Sequence, residues 1–114
     1  ILSAPVFFYN LPAQVKALVD RSQARWSRRM LEKTKEERKR YDRGRGWLIA
    51  VGATKGENLF TGMELTAKYF YDALDMSYQG ALTARGLEGK GEAGGREELM
   101  ERARELGRRA ARGE

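Results

Sequence analysis

The chain contains neither cysteine nor histidine in its 114 residues. The first absence excludes disulfides, thiolate metal sites and cysteine nucleophiles. The second removes the commonest general base and the commonest protein metal ligand. No apolar run approaches the roughly 20 residues that a membrane helix needs, so no membrane segment is expected, and no secretory signal is visible. A chain free of cysteine fits a reducing, cytoplasmic setting. At this length one domain is the limit, with room for a modest core.

What is present is unevenly charged. The net charge is +6, but residues 21–46 carry 11 Lys and Arg against 4 acids, a net of +7, which leaves the remainder at −1. The basic excess belongs to one segment. That segment has only Trp26 and Tyr41 as interleaved aromatics, and Glu32, Glu36 and Glu37 interrupt it. A solvated charged surface is the simplest reading. Phosphate contacts to nucleic acid are the functional alternative, and such a segment would also attract the phosphates of NADPH.

Hydrophobic patterning divides the chain into strands and helices in alternation. Ile1 to about Phe8 is continuously apolar, as a parallel strand buried on both faces should be. A helix starts near Pro12, where a missing N–H costs nothing, with a stripe of Val15, Leu18, Val19, Trp26 and Met30. Extended to Arg40 it would be about 43 Å long, against roughly 20 Å for a typical strand. Residues 32–46 are therefore expected as a basic helix extension or a loop. Trp47–Val51 is the second strand, and Thr61–Leu74 a helix with Met63, Thr66, Tyr69, Phe70, Ala73 and Leu74 inward. Met76–Leu82 reads as a third strand interrupted by Gly80. The glycine-dense stretch 85–95 is loop, and a last helix, Arg96–Ala111, turns Leu99, Ala103, Leu106 and Ala110 inward. This order predicts a single α/β domain over residues 1–114, built on a parallel sheet with right-handed crossovers.

One stretch carries more than fold information. Ser3-Ala-Pro-Val-Phe-Phe-Tyr-Asn-Leu-Pro-Ala-Gln-Val-Lys-Ala-Leu-Val-Asp-Arg21 resembles the second flavin loop and following helix of the flavodoxin-like NAD(P)H-dependent FMN reductases, a group that includes quinone and azo reductases. The shared features are Ser-x-Pro-Val followed by an aromatic residue, a Tyr-Asn pair, and Pro-x-x-x-Lys-x-x-x-Asp-Arg. Phe7 stands where the family often has tyrosine. Leu48-Ile-Ala-Val-Gly-Ala-Thr-Lys-Gly56 resembles the strand and loop on the other side of the flavin ring. Together the matches reach to about Gly91.

The resemblance implies a flavodoxin-like three-layer sandwich, represented here by its last three strand–helix units. The first two strands and their phosphate-binding loop are then expected to precede Ile1, which reads as mid-strand. It also implies FMN as cofactor, NAD(P)H as co-substrate, and a quinone, azo compound or free flavin as small-molecule acceptor. A homodimer through helix 12–31 is expected, with Trp26 and Met30 near the interface. Flavin chemistry survives the absence of cysteine and histidine because the cofactor reacts while the protein positions it. No catalytic acid or base is required of this segment.

On that reading the cofactor-binding residues are Pro5, Val6, Phe7, Phe8, Tyr9, Asn10 and Leu11, with Gly52, Ala53, Thr54, Lys55 and Gly56. Pro5 to Tyr9 would wall the ring, and Tyr9 and Asn10 would meet its polar edge. Lys55 or the loop amides would stabilise negative charge on the reduced ring. Without the resemblance, Asn10 reads as a helix cap, its apolar neighbours as core, and the glycine loop as an ordinary connection. Lys16 and Asp20 read as an i, i+4 ion pair. The alternative function is a non-enzymatic module whose segment 21–46 binds nucleic acid or an acidic partner.

Overall fold

The computed structural model describes residues 1–114. Strand β1 (Leu2–Pro5) is followed by helices α1 (Ala13–Arg21) and α2 (Gln23–Glu32) and a 3-10 turn at Glu37–Lys39. Then come β2 (Arg45–Val51), α3 (Thr61–Ala73), β3 (Ser77–Ala84), a second 3-10 turn at Ala93–Gly95, and α4 (Glu97–Ala111). The three strands form one parallel sheet in the order β1-β2-β3. The α/β class and the parallel sheet follow the alternating pattern of the sequence.

Alternation along β2 sends its side chains to two different cores. Leu48 and Ala50 join Ala4 of β1, Leu11 after it, and Leu59, Phe60, Met63, Ala67 and Tyr71 in and before α3, with Val15 and Val19 of α1 packed alongside. Trp47 and Ile49 point the other way, toward Leu82 of β3 and Leu99, Ala103, Leu106 and Ala110 of α4. Helices therefore cover both faces. The chain terminus closes the second core, with Trp47 Nε1 donating to the Glu114 carbonyl at 2.9 Å and the Arg109 guanidinium 4.8 Å from the Trp47 ring centre.

Several boundaries differ from the pattern. β1 ends at Pro5 rather than Phe8, because a tight turn at Phe7–Asn10 takes the chain out of the sheet. The predicted first helix is two. Ser22 Oγ donates to the Val19 carbonyl at 2.6 Å, and its amide bonds the same carbonyl at 3.0 Å; this local bonding competes with the regular ladder. Of the two alternatives for residues 32–46, helix extension or loop, the structure has the loop: α2 ends at Glu32 and β2 begins at Arg45, with only the 3-10 turn between them. Thr34 and Glu37 form a reciprocal capping pair, amide to carboxylate at 2.7 Å and amide to hydroxyl at 3.2 Å, which starts a new turn in another direction. Bonds from Thr34 hold the Glu37 carboxyl below the usual carboxylate range. β3 runs to Ala84, its pairing shifted by one residue between Gly46 and Trp47 so that Tyr78 and Gly80 sit opposite consecutive residues of β2. Gly80, at φ +134, supplies the backbone this bulge requires. Leu18, Trp26 and Tyr69, expected inward, are exposed.

The basic segment is fastened at the end of α3. The helix closes with Asp75 at φ +60, its amide donating to Asp72 O at 3.0 Å and the Met76 amide to Tyr71 O at 2.9 Å. That is a Schellman ending with aspartate where glycine is usual. The buried Asp75 carboxylate accepts from Arg29 at 3.0 Å and Lys33 at 2.5 Å. Lys33 also meets Asp42 at 3.0 Å, and Arg29 lies 5.3 Å from the Tyr41 ring centre.

Gly46 allows β2 and α3 to approach. A Cβ there would fall 2.3–2.5 Å from three atoms of the Tyr71 ring. That ring is held by a 2.7 Å bond from its hydroxyl to the Trp47 carbonyl and by stacking on Tyr78 at 6.2 Å. We therefore expect Gly46→Ala to cost about 1–3 kcal/mol through overpacking. It should lower the urea midpoint at an unchanged slope; an unaltered midpoint would mean that the ring yields freely.

Candidate functional site

In a parallel α/β sheet the loops leaving the carboxyl ends of the strands form the customary ligand crevice. Here those loops are tied together. Val6 N donates to Val51 O at 3.0 Å, Gly52 N to Ala84 O at 2.9 Å, and Leu87 N to Gly52 O at 3.0 Å. The β1 and β2 loops singled out in the sequence are thus neighbours at one end of the sheet, with the β3 loop beside them.

The β1 loop is a tight turn of unusual composition. Phe7 and Asn10 exchange two backbone hydrogen bonds, 2.9 and 3.1 Å long. Between them Phe8 and Tyr9 have φ of +47° and +62°. Two consecutive left-handed residues are the hallmark of a type I′ turn, which normally takes Asn-Gly. Two aromatic residues in that conformation each cost about 1–2 kcal/mol. Phe7, Phe8 and Tyr9 are all exposed, Phe8 fully. Strain of this sort gathers at ligand clamps and active sites.

The surroundings hold the turn in place. Leu11 is buried in the main core, and Asn10 Oδ1 accepts from the Leu11 amide at 2.8 Å. Asn10 does not cap α1: Pro12 occupies that position, and no side chain caps the helix. Its carboxamide braces the turn instead. The Tyr9 carbonyl lies 2.9 Å from where a Cβ on Gly62 would stand, and the Tyr9 hydroxyl 2.7 Å from the corresponding point on Gly56. Glycine at both positions admits the turn against the β2 loop and the first turn of α3. Gly52 is buried; a Cβ there would lie 2.7 Å from Leu59 and 3.4 Å from Val6.

The predicted residues therefore sort by position. Phe7, Phe8 and Tyr9, with Pro5, form an exposed apolar rim, and Ala53, Thr54 and Lys55 are exposed on the adjoining loop. Val6, Asn10, Leu11 and Gly52 support these loops from beneath. Gly56 is the contact between them.

The pattern did not single out Arg85, Arg96 or Gly62. Arg85 donates to the carbonyls of Gly56 and Glu57 at 3.0 and 2.9 Å, with its guanidinium 5.1 Å from the Phe60 ring centre. Arg96 donates to the carbonyls of Arg85 and Gly86 at 2.9 and 2.8 Å. The available signals were an arginine directly after an apolar strand and a glycine in the first turn of a helix.

Away from this edge, an open groove of about 760 Å³ runs between α1–α2 and α3, lined by Val19, Trp26, Leu65 and Tyr69 among others. The Lys16–Asp20 pair, 2.6 Å apart, lies on it. In the basic segment Arg28, Arg29, Lys33 and Lys39 are paired with carboxylates, and Arg38 and Arg45 donate to carbonyls.

The fold and this edge define an α/β protein with a three-stranded parallel sheet and an aromatic turn at its carboxyl end. Comparison with protein-family models, curated proteins and solved structures gives no match. No helix is long and apolar enough to cross a membrane.

Proposed function

We propose that this chain is the carboxyl-terminal part of a flavodoxin-like, FMN-dependent NAD(P)H oxidoreductase, and that its aromatic turn and glycine loop face the flavin ring. The observation that carries this reading is the Phe7–Asn10 turn. It spends backbone strain to expose three aromatic side chains beside a loop whose glycines permit close approach. A flat heteroaromatic ring needs such an apolar rim together with backbone donors and acceptors for its polar edge. The parallel sheet with helices on both faces suits the third, fourth and fifth strands of a flavodoxin-like order.

On this reading the bound flavin supplies two-electron hydride chemistry between a nicotinamide and a quinone, azo compound or flavin acceptor. The chain's own residues bind and orient. Phe7, Phe8 and Tyr9 wall the ring, Pro5 and Val6 set the direction of the turn, and Asn10 holds its shape. Lys55 and the loop amides favour negative charge on the reduced ring. The groove beside Trp26 is the face through which a homodimer would form, burying Leu65 and Tyr69.

The test is a titration of the purified chain with FMN, followed by flavin fluorescence. Saturable quenching weakened by Asn10→Ala is the expected result, since loss of the carboxamide frees the turn. A folded chain that quenches nothing would remove the flavin reading. A second reading, polyanion binding by segment 21–46, draws on Arg21, Arg25, Lys35, Arg40 and Arg43, which remain exposed. Affinity for RNA or DNA that falls steeply with salt, without flavin binding, would favour it.

A further inference from the structure

Cations gather where the β2 and β3 loops meet the start of α4. A Cβ on Gly86 would lie 3.4 Å from Lys55 Cε and 3.3 Å from Arg96 Nη2, so two positively charged side chains flank a single glycine. Arg85 sits on the same loop, and Arg85, Arg96 and Arg102 line a cleft of about 490 Å³. None of these four cations has a carboxylate within 4.0 Å. Arg85 and Arg96 donate only to carbonyls, which position them without neutralising their charge. Glu97 and Glu98 also line the cleft, but Glu97 lies 3.7 Å from Arg104. The Glu92 carboxylate accepts from the Glu88 amide at 3.0 Å and lies within the field of Arg96, although beyond ion-pair distance.

Three arginines against Glu97 and Glu98 in the cleft, with Lys55 beside it, leave a net positive potential that an anion would relieve. Backbone-anchored guanidinium groups present their remaining N–H donors in a fixed fork, the geometry that suits phosphate oxygens. Three arginines lining one cleft, with Lys55 beside it, suit the nearly double charge of a phosphate ester better than the single charge of a carboxylate. We infer that Lys55, Arg85 and Arg96, with Arg102 at the rim, form a binding site for the phosphate group of a small molecule. The site adjoins the aromatic turn through Gly56, whose carbonyl accepts from Arg85 at 3.0 Å and whose Cα faces the Tyr9 hydroxyl. The phosphate belongs either to the ligand resting on that turn or to a separate co-substrate entering beside it.

Isothermal titration with inorganic pyrophosphate at constant ionic strength tests this. Lys55 and Arg102 make no hydrogen bonds that hold the fold, so Lys55→Ala and Arg102→Ala leave it intact. Lys35→Ala, in the distant basic segment, is the control. The expected result is saturable binding that Lys55→Ala weakens about tenfold, that Lys55→Arg restores, and that Lys35→Ala leaves unchanged. No binding, or equal weakening by Lys35→Ala, would overturn the site. Parallel titrations with FMN and riboflavin identify the source. If FMN binds more tightly than riboflavin and Lys55→Ala removes the difference, the phosphate is the flavin's own. Equal flavin affinities with undiminished pyrophosphate binding assign it to a second ligand. Pyrophosphate binding without any flavin binding would leave this site standing while the oxidoreductase reading falls.

Discussion

Asp75→Ala should lower the unfolding free energy by about 3–5 kcal/mol, the usual cost of stranding a buried charge by removing its partner. For a domain this small that is a large share of a total of about 5–15 kcal/mol. The residue to be stranded is Arg29, which is 7% exposed; its Nη2 also donates to the Arg38 carbonyl. Asp75→Gly separates backbone from charge. Glycine accepts the left-handed ending of α3 without strain, so whatever stability it still lacks beyond the about 0.5–1 kcal/mol of its unfolded-state freedom belongs to the ion cluster. Urea unfolding of both variants is the measurement, and a loss below about 1 kcal/mol in Asp75→Ala would show that the cluster contributes no more than a surface pair.

The same cluster makes stability depend on pH. Burial pushes the Asp75 carboxyl up, but the bonds from Lys33 and Arg29 outweigh it and hold the group below its ordinary 3.8. A carboxyl depressed by folding contributes fully above its unfolded value, and that contribution is lost as pH falls through the folded one. Bonds to Asp75 and then Asp42 raise Lys33 above its ordinary 10.5, so its contribution disappears only as pH rises through that raised value. Stability from the cluster should therefore be flat between about pH 4 and 10 and fall at either end. Asp75→Gly should remove the cluster's share of the acid limb and leave that of Glu37, Glu92 and Glu101, which are also held below the ordinary carboxylate range.

The second large effect concerns function and stability in opposite directions. Phe8→Gly should weaken FMN binding about 10- to 100-fold, since stacking on one aromatic ring is worth about 1–3 kcal/mol. It should also stabilise the free chain. A left-handed phenylalanine costs about 1–2 kcal/mol and glycine's added unfolded-state freedom about 0.5–1, leaving a net gain of about 0–1.5 kcal/mol. Flavin titration and urea unfolding on the same preparation read both signs. A variant that is more stable and binds flavin as tightly as the parent would mean that the exposed ring has another use. A variant that is less stable would mean that Phe8 packs against something despite its exposure.

The sequence alone determined the alternation of strands and helices, the parallel sheet, and the inward face of α4. These follow from local periodicity, because an element's own spacing decides which side it must bury. Leu99, Ala103, Leu106 and Ala110 were placed correctly because helical period and burial agree there. Periodicity was a poorer guide to Trp26 and Tyr69, which border a groove that this chain leaves open. Nor could it show the break at Ser22, which depends on where one hydroxyl bonds.

The two loops at the sheet end were visible as motifs, but their shape was not. Type I′ geometry with aromatics at both left-handed positions contradicts local preference, and it persists because Leu11 after the turn, Gly56 in the β2 loop and Gly62 in α3 over-determine it. Asn10 looked like a cap by spacing; tertiary structure made it the brace of a turn. The basic segment offers the sharpest contrast. Its composition read as a solvated surface, yet Arg29 is buried and Lys33 half-buried against an aspartate 46 and 42 residues away. Charge is additive along a chain and can be counted from it. Whether a particular charge is solvated, paired or left facing an empty cleft depends on which distant residues folding brings beside it, and only the tertiary structure decided that.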